Sequence, residues 1–310
     1  MDKVLVLLAA YNGEKYLHTM IDSIINQDYS EWSLILSDDG SSDSTPEILQ
    51  EYADKMPDRI VFYRSGIRFG RPEKHFMHLL EHFHDAPYIM FCDQDDFWHC
   101  DKIRKTYEKM KQVEVDPKVP AMVHTDLRVV DRELQLINPS FMKLSGIRGD
   151  RMKIQQLLAQ NVVTGCTMMV NRALADLGTR NIPETGIPMH DWWLALLASS
   201  CGVTGFVEEA TIDYRQHGNN SVGAKNVYSL RHIWNVFTHK RMSDGIKMTY
   251  TQASAFLDCF YNVLPESACK MITIYAEMAH KNWFARRANY IRYGFWKASL
   301  PRKIGQLILG

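Results

Sequence analysis

Apolar residues in this chain come in short continuous runs, separated by longer stretches where they recur every three or four positions. Lys3 to Ala9 reads KVLVLLA, long enough for a strand buried on both faces. Tyr11-Asn12-Gly13 breaks that run, and Leu17, Ile21, Ile24 and Ile25 then follow helical spacing. Trp32 to Leu36, Ile60 to Tyr63 and Tyr88 to Cys92 read as further strands. Helices are expected after Pro46, over about Pro72 to His84, and from about His99 to Gln112. Ser44 or Thr45 serves as N-cap of the first of these, with Pro46 opening the helix. Strands alternating with helices in this way predict an α/β fold with a mostly parallel, mixed sheet and helices on both faces.

Past Pro120 the rhythm changes. Ala121 to Val130 reads as a strand, Lys153 to Gln160 as a helix, and Val162 to Val170 as a strand bent at Gly165. An apolar helix starts near Met189-His190-Asp191-Trp192-Trp193 and runs through Ser199. Gly205 to Val207 and Thr211 to Arg215 read as two short strands, and Gln216 to Ser221 as a polar loop. From Lys225 onward the spacing is helical almost throughout. The expected division is a body over 1–224, with halves at about 1–115 and 116–224, and a helical C-terminal extension over 225–310.

In sheets of this kind ligands bind outside the carboxyl ends of the strands. Three polar loops fall at such ends, at Tyr11, at Asp38-Asp39 and at Asp93-Gln94-Asp95-Asp96. The last places three carboxylates within four positions, and like charges so close persist best where a cation neutralises them. Asp93 and Asp95 offer the hard oxygen ligands that Mg²⁺ or Mn²⁺ prefers. An aspartate of the Asp38–Asp39 pair can accept from a base N–H or a ribose hydroxyl, or form an Asx turn. Tyr11 can stack on a base or pack in its loop. Arg68 and Arg71 can read a base or a phosphate, or stand in solvent. Asp191 sits at a helix start, where the dipole favours the ionised form that a general base needs. His217, in a Gly/Asn loop, can complete a metal site or donate to a diphosphate.

Charge changes the picture of the tail. Net charge is zero, yet Lys225 to Gly310 carries 13 Lys+Arg against 4 Asp+Glu, a surplus of +9, and the remainder carries −9. Its basic residues mix with Trp234, Phe237, Trp283, Phe284, Ile291, Phe295 and Trp296, as in helices that lie on anionic membranes. Packing on the body or in a homodimer is the alternative. No stretch approaches the roughly 18 to 20 apolar residues of a membrane span. Val4 to Ala10 lacks a small-residue cleavage pattern, so no signal peptide and a cytosolic location are expected. The six cysteines are scattered without CxxC spacing, which fits reduced structural thiols.

Taken in order, Ala10-Tyr11-Asn12, Asp38 to Asp43, Asp93-Gln94-Asp95-Asp96, His190-Asp191-Trp192 and His217 resemble the family 2 glycosyltransferases with the GT-A fold. The resemblance covers about residues 1 to 225. The phrasing DQDDFW, HDWW and YRQHGNNSVG looks most like bacterial rhamnosyltransferases that build rhamnose-rich cell-wall or O-antigen polysaccharides. It implies a nucleotide-sugar site at Ala10, Tyr11, Asn12, Asp38, Asp39, Arg68, Arg71, Asp93 and Gln94. It implies a divalent cation, Mn²⁺ or Mg²⁺, on Asp95 and His217, with Asp93 beside them. Asp191 matches the catalytic base, and His190 stands where many relatives carry Glu. Gly165, Cys166, His190, Trp192 and Arg215 are expected to support the site or the acceptor, and Asp96 to cap a helix beginning near Trp98. The implied partners are dTDP-rhamnose, with UDP-sugars as the alternative, and a lipid-linked glycan at the inner membrane face. A nucleotidyltransferase would want a Gly-rich, basic phosphate loop that Ala9 to Gly13 lacks. A nucleic-acid partner is not expected, since no recognised module accompanies the basic tail.

Overall fold

The computed structural model describes residues 2–216 and 241–310. The first half builds as the apolar runs foretell. β1 (Val4–Ala10), α1 (Leu17–Ile25), β2 (Trp32–Asp38), α2 (Thr45–Lys55), β3 (Ile60–Tyr63), α3 (Pro72–His82) and β4 (Tyr88–Asp93) alternate without interruption. β5 (Phe97–Trp98), α4 (Lys102–Val113), β6 (Ala121–Val130), β7 (Leu136–Asn138), α5 (Phe141–Leu144) and α6 (Ile154–Ala159) follow. β8 (Met168–Asn171), α7 (Arg172–Gly178), α8 (His190–Cys201) and β9 (Val203–Arg215) complete the body. Among the described residues, four α-helices follow: α9 (Arg241–Phe260), α10 (Glu266–Ala276), α11 (Trp283–Tyr293) and α12 (Leu300–Leu309).

The sheet runs β3-β2-β1-β4-β8-β6-β9-β5, with β7 paired to β6. Its first four strands are parallel, β8 is antiparallel to both neighbours, and β6 and β9 are parallel again. Strand residues on both faces are buried, as continuous apolar runs require. The register sets Ala10 beside Asp38 and Ala9 beside Asp93. Three loops therefore leave the sheet at one edge.

Several local readings need correction. Gly165–Thr167 is a 3-10 turn, and strand pairing starts only at Met168. Gly205 to Arg215 is one strand, because register shifts opposite Asp126 absorb the charged Glu208-Glu209 stretch that reads as a break. The basic helix starts at Lys102 rather than His99, and Phe97-Trp98 pairs with β9 instead. Asp96 is thus no helix cap. It is fully buried in the turn before β5 and accepts from the Arg215 N–H at 3.2 Å.

The C-terminal helices share the hydrophobic core of the body. Ile246, Tyr250, Phe256, Phe260 and Tyr275 join one cluster with Trp193, Leu194 and Leu197 of α8. Trp193 meets Phe256 edge-on at 5.1 Å and Phe260 at 5.5 Å. Farther along, Lys297 Nζ donates to the Ala159 carbonyl at 3.1 Å, and the Ala298 N–H donates to Gln160 Oε1 at 3.0 Å. Burial among these groups drags Lys297 down to about 8. Replacing Phe256 by Ala should cost about 3–5 kcal/mol of stability. Chemical denaturation checks this: one cooperative transition displaced to lower denaturant is expected, and an unshifted midpoint would refute the shared core.

Candidate functional site

The three loops at the sheet edge are stitched together by side chains that reach across the chain. Gln94 pairs its amide with both backbone groups of Tyr11, accepting from the N–H at 2.7 Å and donating to the carbonyl at 2.9 Å. That approach is possible only because position 13 has no side chain, since a Cβ there would stand 2.4 Å from Gln94 Oε1. Asn12 adopts a left-handed φ of 50° that asparagine tolerates. From there its N–H donates to Ser41 Oγ at 2.8 Å, and its Oδ1 accepts from the Ser42 N–H at 2.9 Å.

The paired aspartates after β2 organise backbone. Asp38 accepts from the Gly40 and Ser41 N–H groups at 3.0 Å each, an Asx turn. Asp39 is buried and accepts from the N–H groups of Phe69 and Gly70, the latter at 2.8 Å. This brings Arg68 over the cleft, where its guanidinium donates to the Tyr11 hydroxyl at 2.9 Å and lies 5.5 Å from the ring centre. Arg71 is exposed and ion-paired to Glu73.

Asp93 and Asp95 both line the cleft. Burial, then the charge of Asp95, then that of Asp191 push the Asp93 carboxyl up to about 7. Such mutual repulsion among oxygen donors is the setting a hard divalent cation relieves, so these residues fit one. Asp93 also lies with Asp96 and Cys166 in a group whose ligand atoms fall within 4.8 Å of one another. Asp96 and Cys166, however, are buried behind the cleft wall. Arg215 braces this turn from β9, donating through Nε to the Asp95 carbonyl at 2.8 Å. Its guanidinium also stacks on Tyr16 at 4.7 Å. His217 lies outside the described residues.

Asp191 lines the same cleft, in the first turn of α8 behind Met189, close enough for its charge to act on Asp93. Asn161 donates to its Oδ1 at 3.0 Å, and the N–H groups of Gly165 and Trp192 support it. Burial outweighs these donors and raises the carboxyl to about 7. A base with a pKa near neutrality suits removal of a hydroxyl proton.

His190 lines the cleft next to Asp191 and packs against two phenylalanines. Its ring lies 4.4 Å from Phe76 and 5.1 Å from Phe91, and burial lowers its pKa to about 3. The apolar seat keeps the imidazole neutral. Trp192 is a strut, donating through Nε1 to the Leu157 carbonyl at 2.7 Å. Gly165 leaves room for His190, since a Cβ there would sit 2.6 Å from the ring Nε2. Gly165→Ala should therefore cost about 1–3 kcal/mol and lower transfer more than donor binding, as turnover and titration on one preparation would show. Wild-type turnover would deny the close fit any part in placing Asp191.

The whole depression holds about 1380 Å³, and several of its residues carry no sequence signal. Lys15, Tyr16, His75, Phe76, Arg132 and Asn161 line it, and so does Arg302 from α12. Lys15 and Tyr16 sit in the turn between Gly13 and α1. Arg302 arrives from the far end of the chain, anchored by its donation to the Ser145 carbonyl at 3.0 Å.

Known proteins share the family and the fold of this chain. The family model for glycosyl transferase family 2 matches residues 5–178. The dTDP-rhamnosyl transferase RfbG of Shigella flexneri is 27% identical over 226 residues, covering 70% of this chain and 74% of its own. The putative teichuronic acid biosynthesis glycosyltransferase TuaG of Bacillus subtilis (strain 168) is 26% identical, covering 80% and 92%. Among solved structures, S. aureus TarS 1-349 in complex with UDP-GlcNAc superposes with a TM-score of 0.59 at 16% identity, over 93% of this chain and 75% of that one. The mannosyltransferase PcManGT from Pyrobaculum calidifontis, in complex with GDP-Man and Mn²⁺, gives 0.52 at 15% identity, over 99% and 84%. These two establish likeness of fold.

Proposed function

This chain belongs to glycosyl transferase family 2, and from that premise we propose that it moves L-rhamnose from dTDP-rhamnose onto a lipid-linked polysaccharide at the inner face of a bacterial membrane. The observation that carries the reading is the meeting of Tyr11, Asp93, Asp95 and Asp191 in one cleft at the carboxyl edge of the sheet. The rhamnose donor is favoured by the likeness to RfbG, a dTDP-rhamnosyl transferase. Among the described residues no helix is long and apolar enough to cross a membrane. On the proposed reading the chain meets its acceptor from the cytoplasmic surface.

Tyr11 stacks on the base, held in place by Gln94 and overlain by Arg68. Asp39 and Asp38 shape the loops around the nucleoside, and Asp93 faces the ribose and diphosphate. A divalent cation, Mn²⁺ or Mg²⁺, held by Asp95 with Asp93 and His217, would supply positive charge to the departing diphosphate. Asp191 takes the proton of the acceptor hydroxyl as that oxygen forms its bond to the anomeric carbon. The bond from that carbon to the diphosphate oxygen breaks in the same displacement, so the configuration inverts. No protein nucleophile is required.

A donor screen tests the sugar. Nucleotide release from dTDP-rhamnose should exceed release from UDP-glucose, UDP-galactose and UDP-GlcNAc by at least about tenfold, a discrimination that pocket contacts readily supply. Preference for a UDP-sugar would overturn the rhamnose assignment and leave the cleft chemistry standing.

A further inference from the structure

The helix α12 is packed inside out. Its buried side presents Gly305 and Gln306, whereas Leu300, Ile304 and Ile308, spaced by four, stand exposed. The polar side is committed inward: Gln306 donates to the Phe295 carbonyl at 2.8 Å and accepts from the Lys297 N–H at 3.0 Å. The adjacent α11 adds Phe284 and Ile291, 78% and 70% exposed. The two helices are clasped, because Arg287 is buried between them and donates to the Leu307 carbonyl at 2.6 and 2.8 Å. Trp283 Nε1 reaches the Ile308 carbonyl at 3.4 Å. An apolar ridge of this size, held rigid by polar contacts beneath it, calls for a covering surface.

Charge identifies the surface. From Lys281 to Gly310 the chain carries seven Lys+Arg and no Asp or Glu. Lys281 and Arg292 are exposed and Arg286 and Lys303 half-exposed, flanking the apolar positions. We propose that the α11–α12 face, through Leu300, Ile304, Ile308, Phe284 and Ile291, docks on an anionic lipid bilayer. Apolar side chains enter the acyl boundary and the basic rim meets the headgroups. The opposite side of α12 carries Arg302 into the wall of the cleft. A bilayer on this face thus lies about 10 Å, one helix diameter, from the cleft. The proposal rests on the lipid-linked acceptor named above for its purpose, and on the exposed side chains for its evidence.

Co-sedimentation of the full chain with vesicles tests it. Wild type should pellet with phosphatidylglycerol-containing vesicles and weakly with phosphatidylcholine alone. The variant Leu300→Ser/Ile304→Ser/Ile308→Ser should lose at least about tenfold in partitioning. These side chains are exposed, so the fold is expected to survive, and circular dichroism with donor binding confirms it. Wild type and variant pelleting equally, or neither pelleting, would overturn the proposal. So would a wild-type dimer that the triple variant dissociates without any vesicle binding, which would make a second copy the occupant. Vesicle binding without turnover of dTDP-rhamnose would sink the donor reading alone.

Discussion

Asp191→Asn lowers sugar transfer by about 10²- to 10⁴-fold, the range for removing a general base, while donor binding stays near wild type. The substitution keeps the shape of the side chain and an oxygen for Asn161 to donate to. It removes the site that takes the acceptor proton. Stability should move the other way. Burial raises the folded-state pKa of Asp191 from the ordinary carboxylate range to about 7. A group shifted upward stabilises the fold fully below its unfolded value near 4, and that contribution is lost as pH rises through about 7. Wild type and variant should therefore melt alike at pH 4, whereas at pH 8 the variant gains on the order of 4 kcal/mol. Thermal unfolding at both pH values, with turnover measured on the same preparations, reads the two effects together. A variant that is both slow and unstable at pH 8 would make Asp191 a structural residue.

Asp95→Asn is the second large loss. It halves the carboxylate pair that faces the cleft and leaves Asp93 beside Asp191. Transfer should fall about 10²- to 10³-fold, the size of effect seen when one preorganised stabiliser of leaving-group charge is removed. Titration with Mn²⁺ should need much more cation for half-maximal turnover. Circular dichroism should be unchanged, because Arg215 holds this turn through the Asp95 backbone carbonyl and not through its carboxylate alone. Undiminished turnover at low Mn²⁺ would move the metal role to another residue.

Much of this arrangement could be read from residue order because parallel strands place their carboxyl ends together. The apolar runs over β1, β2 and β4 by themselves put Tyr11, Asp38 and Asp93 at one edge. Asp191 was legible for the same local reason, an acid at the start of an apolar helix. What a sidechain does across long separations was not. Gln94 next to Asp93 suggests a nucleotide contact, yet its amide pairs with the Tyr11 backbone 83 positions away. His190 suggests support of the acceptor, and nothing local shows that Phe76 and Phe91 pack against its ring. Local pattern likewise hides that α12 turns its polar side inward, since its periodicity is that of any amphipathic helix. Only the neighbours decide which face is buried.

The proposed reaction is cation-dependent glycosyl transfer in which Asp191 takes the proton. Its most direct test is release of dTDP from dTDP-rhamnose in the presence of membrane-derived acceptor, by wild type and by Asp191→Asn, each with Mn²⁺ and with chelator. Release by wild type with Mn²⁺, its loss on chelation, and a variant that binds donor without releasing dTDP is the predicted result. Release at equal rates by wild type and variant, or release indifferent to chelator, would contradict it.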